Sequence, residues 1–401
     1  MHPTFHECLC TVSGAVNDRY GGAGMKTEQD RKPVLTAVVP VYNGERYLRE
    51  TVERIRGIRS LDWELILIDD GSADGSGAIC AEFEVLDDRI RCFRQENRGI
   101  AASRNRGLCQ AQGEYICFWD QDDILLPEGC LALLQQMQTE DAQMGMCSTE
   151  RSIHGKRSGF ERVQDGIYTG AKVQQELLYP LLFRGFRYDF AESSNYFYGS
   201  VWKCIFRTDF IRENQIEFKR FINYEDDWIF VTHALSLAKR AVTVSVPGYC
   251  WRVNEQSESH RGEYIEDLQE RFAALDGYVM PYLEKGMAKD KAVFDAYRKV
   301  SLCEHYIDSY RNAANVCSAA ERRRCHRLVR DYLRETGYRE QIACVHKLRS
   351  SAYRKKVILM SLRYGGVGAT FIISRIYDIL ERRMSSVQWI VRMERSKKMK
   401  R

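Results

Sequence analysis

Apolar residues in this chain follow two rhythms. Val34–Val41 is a short β-branched run closed by a turn, which predicts a buried strand. Glu64–Ile68, Ile90–Phe93 and Glu114–Trp119 predict three more. Between them, Tyr47, Leu48, Val52 and Ile55 recur at helical spacing. Helices are also predicted around 76–85, over 100–110 and from Pro127, which suits a first helical position because its missing N–H has no partner there anyway. Strand and helix alternate throughout. That order predicts an α/β fold, with a mainly parallel sheet and helices on both faces. In such sheets ligands bind beyond the carboxyl ends of the strands. Gly113 marks a helix exit before the fourth strand.

The middle of the chain is less periodic and rich in aromatics: Phe183, Phe186, Tyr188, Phe190, Tyr196, Phe197, Tyr198 and Trp202. Residues 204–214 and 226–237 read as helices and 241–246 as a strand. Beyond 261 helices and charges dominate. The expected layout is an unstructured leader over 1–32, two halves of one domain over 33–150 and 151–260, and a helical region over 261–401. Met25 is a candidate natural start, since it leads directly into the first strand.

The chain has 401 residues, of which 44% are hydrophobic and 29% charged, which excludes a wholly disordered or fibrous protein. Apolar runs fall far short of the roughly 18 residues of a spanning helix. The net charge of +5 is concentrated at one end. Residues 375–401 hold nine Lys or Arg and three acids, so the other 374 residues sum to −1. The 14 cysteines lack regular spacing and read as reduced, mostly buried thiols of a cytosolic protein. His2, His6, Cys8 and Cys10 cluster without the spacing of a zinc site.

Carboxylates gather at two strand ends. Asp120 and Asp122, with Asp123, follow the fourth strand. Two carboxylates one residue apart on a turn can share a divalent cation that holds a diphosphate, and oxygen ligands suit Mn²⁺ or Mg²⁺. The plain alternative is a solvated, capping turn. Asp69 and Asp70 end the second strand, where a carboxylate can accept from a base edge or ribose hydroxyl, or form an Asx turn with Gly71 and Ser72. Neither end carries Gly-x-Gly-x-x-Gly or a phosphate-loop lysine.

Four segments in order carry a resemblance: Val39-Pro40-Val41-Tyr42-Asn43-Gly44-Glu45; Ile68-Asp69-Asp70-Gly71-Ser72-x-Asp74-Gly75-Ser76; Asn97-Arg98-Gly99-x-x-x-Ser103-Arg104-Asn105-x-Gly107; and Gly113-Glu114-Tyr115-Ile116-x-Phe118-x-Asp120-x-Asp122-Asp123-x-x-x-Pro127. Together they resemble the nucleotide-binding half of a family 2 glycosyltransferase with the GT-A fold. The likeness continues through Tyr224-Glu225-Asp226 and Tyr249-x-x-Arg252, and covers about 34–257.

The resemblance implies a donor pocket at Pro40, Tyr42, Asn43, Glu45, Asp70, Arg98 and Asp120. It places the metal-bridged diphosphate at Asp122, with Mn²⁺ or Mg²⁺ as cofactor and a UDP-sugar as the commonest donor. It makes Asp226 the general base of an inverting transfer to a glycan or lipid-linked acceptor, as in bacterial cell-surface polysaccharide synthesis. Trp202, Glu225 and Trp251 fall on the acceptor side. Asp227 adds a third consecutive acid that could shift the register. Arg104, a charged residue on a helix, is expected at the surface. Relatives often carry Lys where this chain has Cys204; Lys203 stands one position early, and Cys204 reads as a packing residue.

Ala369, Ile372, Ile373, Ile376 and Leu380 recur at near-helical spacing, followed by Trp389 and a basic run. This suggests peripheral contact with the inner face of the cell membrane, in a cytoplasmic protein. The aromatics do not line a basic groove, so no nucleic-acid partner is expected. Two rivals remain. A sugar nucleotidyltransferase usually needs a basic, glycine-rich first loop, which Val39–Glu45 lacks. A non-catalytic nucleotide- or glycan-binding relative need not retain Asp120, Asp122 and Asp226.

Overall fold

The computed structural model describes residues 32–183, 186–187, 197–222, 225–253, 264–315, 319–345, 349–350 and 353–382. The expectations for the leader, for Tyr188, Phe190, Tyr196 and Tyr224, and for the basic run from 383 onward lie outside these residues.

The predicted strands form β1 (Leu35–Val41), β2 (Trp63–Asp69), β3 (Ile90–Arg94) and β4 (Tyr115–Phe118). The sheet continues through β5 (Ile124–Leu125), β6 (Met144–Ile153), β7 (Lys156–Gly159), β8 (Gly166–Thr169), β9 (Cys204–Arg207) and β10 (Arg240–Arg252). It has ten strands, with the main order β3-β2-β1-β4-β9-β6-β10-β5. β1, β2, β3 and β4 pair in parallel, as does β6 with β10, while β9 is antiparallel to both its neighbours. β6 runs across position 150, so both expected halves share one sheet.

The central strands are buried on both faces, which explains their nearly continuous apolar runs. Alternation sorts their side chains. Leu65 and Leu67 of β2 face a core closed by α1 (Glu45–Arg56), α2 (Ser76–Leu86) and α4 (Pro127–Thr139). Ile66 and Ile68 face the opposite core, closed by α3 (Ile100–Gln110) and α6 (Asp226–Leu237). Pro40 lies past the last β1–β4 pair, Val38 with Phe118, so its missing N–H breaks no bond to β4.

One expectation needs correction. Residues 204–207 are strand β9, and the helix α5 spans only Thr208–Glu213. The Cys-Ile-Phe-Arg run is compatible with either state, and its place between β4 and β6 decides. Cys204 is buried, as a packing residue should be. Lys203, just before it, is buried as well, and its ammonium meets Glu161, with both side chains 0% exposed. Glu161 also accepts from the Tyr198 amide at 2.8 Å, so the pair fixes the segment that leads into β9. No disulfide links the described cysteines.

The second core extends into helices α7 (Leu268–Gly286), α8 (Lys291–Ala314), α9 (Ala319–Glu335), α10 (Tyr338–Val345), α11 (Tyr353–Tyr364) and α12 (Gly366–Arg382). The Tyr282 hydroxyl lies 2.9 Å from Thr232 Oγ1 and joins α7 to α6.

Removing one partner of a buried ion pair strands the other charge. Lys203→Met should therefore cost about 3–5 kcal/mol in urea unfolding, and adding Glu161→Leu should recover part of that. A single-variant cost below about 1 kcal/mol would mean that the pair does not hold this segment.

Candidate active site

The loops at the carboxyl ends of β1, β2 and β4 are tied to one another. Asn43, in the left-handed region at φ 48°, follows Tyr42 in the loop after β1. Its amide donates to Ser72 Oγ at 3.1 Å, and its own Oδ1 accepts from the Ala73 amide at 2.9 Å. The Gly44 amide donates to Ser76 Oγ at 2.8 Å, and Glu45 accepts from the Gly75 amide at 2.5 Å. Gln121 exchanges two bonds with the backbone of Tyr42, at 3.0 and 2.9 Å. The first loop is thus tied to the second on one side and to the Asp120–Asp123 turn on the other.

Asp69 accepts from the Ser72 amide, three residues on, at 2.9 Å and so closes the turn. Asp70 is buried and accepts from the amides of Arg98 and Gly99 at 2.9 and 2.8 Å. Asn43, Glu45 and Asp70 therefore tie the loops together and Pro40 lies within β1, while Tyr42 and Arg98 present exposed side chains.

The turn after β4 divides its carboxylates. Asp123 points inward and accepts from the Arg252 amide at 2.7 Å. The Tyr249 hydroxyl accepts from the Asp120 amide at 2.9 Å. Asp120 and Asp122 stay partly open. Burial pushes Asp122 above the usual carboxylate range. Burial pushes Asp120 up as well, against the pull of Arg104 and with added repulsion from Asp122 and Asp226.

Arg104 overturns its expected surface position. It is 2% exposed and lies beneath these carboxylates. Its guanidinium reaches Asp120 and Asp226, each at 2.9 Å, and also Asp227. Burial works against its charge, but Asp227, Asp120 and Asp226 outweigh that and raise its pKa. Local packing explains the placement. Gly107 lies one turn on from Arg104, and a Cβ there would come within 2.2 Å of Val38 Cγ1. The glycine lets α3 press onto β1, which aims Arg104 along the sheet toward the strand ends. Asn105 fixes the other flank, accepting from and donating to the Phe218 backbone at 2.8 and 2.9 Å. Nothing in the local sequence singles out Arg104 for burial; Gly107 only permits the close approach.

Asp226 and Asp227 occupy the first turn of α6. Asp226 is gripped by Arg104 and also by Arg220, at 3.3 Å, and its side chain is 4% exposed. Asp227 is 22% exposed, and its second oxygen accepts from the Val201 amide at 3.0 Å. Burial, opposed by Arg104 and reinforced by Asp226 and Asp120, pushes Asp227 up to about 6. Glu225 precedes the helix and accepts from the amides of Phe221 and Ile222.

Two expected acceptor-side residues part ways. Trp202 is buried, with its ring stacked on Tyr249 at 4.7 Å, so it supports the floor of the site. Trp251 is partly open and lies 5.4 Å from Phe160, which stacks on Tyr198 at the same distance. Phe160 and Tyr198 are additions that only the folded chain brings beside Trp251.

Among the described residues, no three His, Cys, Asp or Glu side chains gather to hold a metal by themselves. The donor set still fits a hard cation. Asp120 and Asp122 offer oxygen only, are partly open, and are held above their ordinary pKa in a cluster rich in carboxylates. Mg²⁺ typically binds through one or two such groups and completes its shell with phosphate and water oxygens.

Residues 36–213 match the model of a family described as "Glycosyl transferase family 2". The putative glycosyltransferase EpsH of Bacillus subtilis is 28% identical over 245 residues, 61% of this chain and 67% of that protein. Glycosyltransferase GlyG of Streptococcus pneumoniae serotype 4 is 45% identical over 112 residues, but these cover only 28% of this chain and 37% of that one. A crystal structure of S. aureus TarS 1–349 shares the fold, with a TM-score of 0.57 and 18% identity, covering 86% of this chain and 91% of that one. The same TarS segment in complex with UDP-GlcNAc superposes with a TM-score of 0.56.

Two outcomes check this geometry. Arg104→Met leaves Asp120, Asp226 and Asp227 without their shared cation and should cost about 3–5 kcal/mol at pH 7, with a smaller loss near pH 4, where Asp227 is protonated. For Asp227, whose pKa is raised from 3.8 to about 6, the stability contribution is full below 3.8 and lost as pH rises through 6. The stability of Asp227→Asn relative to the parent should therefore improve from pH 4 to pH 7. A flat difference would show that the group is not held in this state.

Proposed function

We propose that this chain, whose residues 36–213 match the family 2 glycosyltransferase model and whose fold is shared with TarS, carries out a metal-dependent, inverting transfer of a sugar from a nucleoside diphosphate to a glycan or lipid-linked hydroxyl. The observation that carries this reading is the shared grip of Arg104 on Asp120 and on Asp226 and Asp227. It holds a donor-side carboxylate and the candidate bases around one guanidinium.

In this reading the nucleotide lies over the tied loops after β1 and β2, with Tyr42 and Arg98 reaching it. A UDP-sugar is the proposed donor; the TarS complexes with UDP and UDP-GlcNAc support that choice. Mn²⁺ or Mg²⁺ held by Asp122 would supply positive charge against the departing diphosphate. Asp226 takes the proton of the acceptor hydroxyl, which attacks the anomeric carbon opposite the diphosphate. One displacement then inverts the configuration without a covalent intermediate. The acceptor sugar lies toward Trp251, where open aromatic rings can stack on a sugar face.

A second reading places the base at Asp227. Its side chain is the more open of the two, and a carboxyl at about 6 suits a base working near neutral pH. We place the protein in cell-surface polysaccharide synthesis on the cytoplasmic side of the membrane. The putative teichuronic acid biosynthesis glycosyltransferase TuaG of Bacillus subtilis, 39% identical over 93 residues, supports that setting.

The test is nucleotide release from UDP-, GDP- and dTDP-sugars with Mn²⁺. Slow release from one donor, abolished by EDTA and reduced at least about a hundredfold in Asp226→Asn, is the expected result. The larger loss in Asp227→Asn instead would move the base by one residue. Donor binding without any turnover, across a panel of acceptors, would favour a binding protein.

A further inference from the structure

We propose that the outer face of α9 and α12 is a docking surface for an anionic membrane. This extends the membrane setting above from the basic run at the chain end to a folded surface, and it does not depend on the sugar-transfer chemistry.

The face begins with a ladder on α9. Arg322, His326, Arg330 and Arg334 follow one another at intervals of four and share one side of the helix. The neighbouring stripe, Cys325, Val329 and Leu333, is buried and fixes the helix on the core. α12 joins the ladder where the His326 ring stacks on Phe371 at 3.6 Å. Burial and the nearby Arg322, Arg330 and Arg375 lower the pKa of His326, which places those arginines around one ring. Arg330 and Arg334 are like charges four apart and repel, which an anion lying over them would relieve. Arg330, Arg334 and Arg375 form no ion pair among the described residues. Beside them a groove of about 550 Å³ is lined by Arg330, Arg334, Tyr338, Arg339, Glu340 and Val367, with Glu340 its one acid.

Apolar side chains share this surface. On α12, Ile372 and Ile376 are 65% and 52% exposed and flank Arg375. Tyr364, at the α11–α12 turn next to the groove, is 72% exposed. Isolated exposed apolar residues are ordinary. Two isoleucines one turn apart, set among unpaired arginines, match the two layers of a bilayer surface instead: apolar tips enter the acyl boundary while guanidinium groups meet the phosphates. A soluble polyanion would satisfy the arginines and leave the isoleucines in water, so the mixture favours the membrane. Charge continues past the face. Residues 383–401, which follow α12, hold seven Lys or Arg and one acid. No described helix is long and apolar enough to cross a membrane.

The test is co-sedimentation of the full chain with vesicles of phosphatidylcholine alone or with 30% phosphatidylglycerol. Binding should require phosphatidylglycerol and fall with added salt. Arg330→Gln with Arg334→Gln should weaken it roughly thirtyfold, at roughly fivefold per arginine near an anionic surface. Ile372→Ser with Ile376→Ser should weaken it at least about tenfold. All four positions are exposed, so unchanged thermal unfolding and unchanged nucleotide release in solution would separate loss of docking from loss of fold or of chemistry. A chain shortened to residue 382 should still bind. Four outcomes overturn the proposal: equal binding to both vesicles; full binding by either double variant; loss of all binding on removing 383–401; or a dimer in sedimentation velocity that the isoleucine changes dissociate, which would make the face an interface between copies.

Discussion

The site depends on one guanidinium held out of water. Arg104 joins Asp120, at the end of a parallel strand, to Asp226 and Asp227, at the start of a helix more than a hundred residues later. A buried arginine needs carboxylate partners, and buried carboxylates need a cation. Neither side is tolerable alone. The constraint therefore fixes the position of α6 against the strand ends, and with it the spacing between Asp120 and the candidate bases. Arginine suits the task because its planar fork serves several oxygens at once, which an ammonium group cannot do in the same geometry.

The surroundings extend this arrangement in two directions. Toward the proposed donor side, burial disfavours the charged forms of Asp120 and Asp122, and at Asp120 repulsion from Asp122 and Asp226 adds to that cost. An added cation or a redistributed proton relieves it. Toward the proposed acceptor side, the segment before β9 is held by the buried Lys203–Glu161 pair and by the Val201 amide on Asp227. That segment also carries Tyr198 to the Phe160–Trp251 cluster. The open aromatic surface and the candidate bases are thus fixed to the same few residues, while the C-terminal helices close the second core and leave a basic, partly apolar face outward.

The sequence by itself determined the first four strands, their alternation with helices, and the chemistry at their ends. Runs such as Leu65–Ile68 are apolar on both alternating faces, and only a sheet covered on both sides satisfies them. The carboxylates at 69–70 and 120–123 were legible because polar groups that end apolar runs emerge at strand ends, and the Glu225–Asp227 cluster was legible through the family resemblance. The buried role of Arg104 was not legible. A lone charge on a helix is ordinarily solvated, and its partners lie 16 and 122 residues away. Only tertiary packing, with Gly107 pressed onto Val38, brings them together. The same holds for Cys204–Arg207, which read as helix until its two antiparallel neighbours made it a strand. It holds also for Trp202, whose ring the fold turns onto Tyr249. Local pattern sets what each segment can be, because periodicity acts within a few residues. Which charges are shared and which rings stay open depends on distance through space, and that only the folded chain decides.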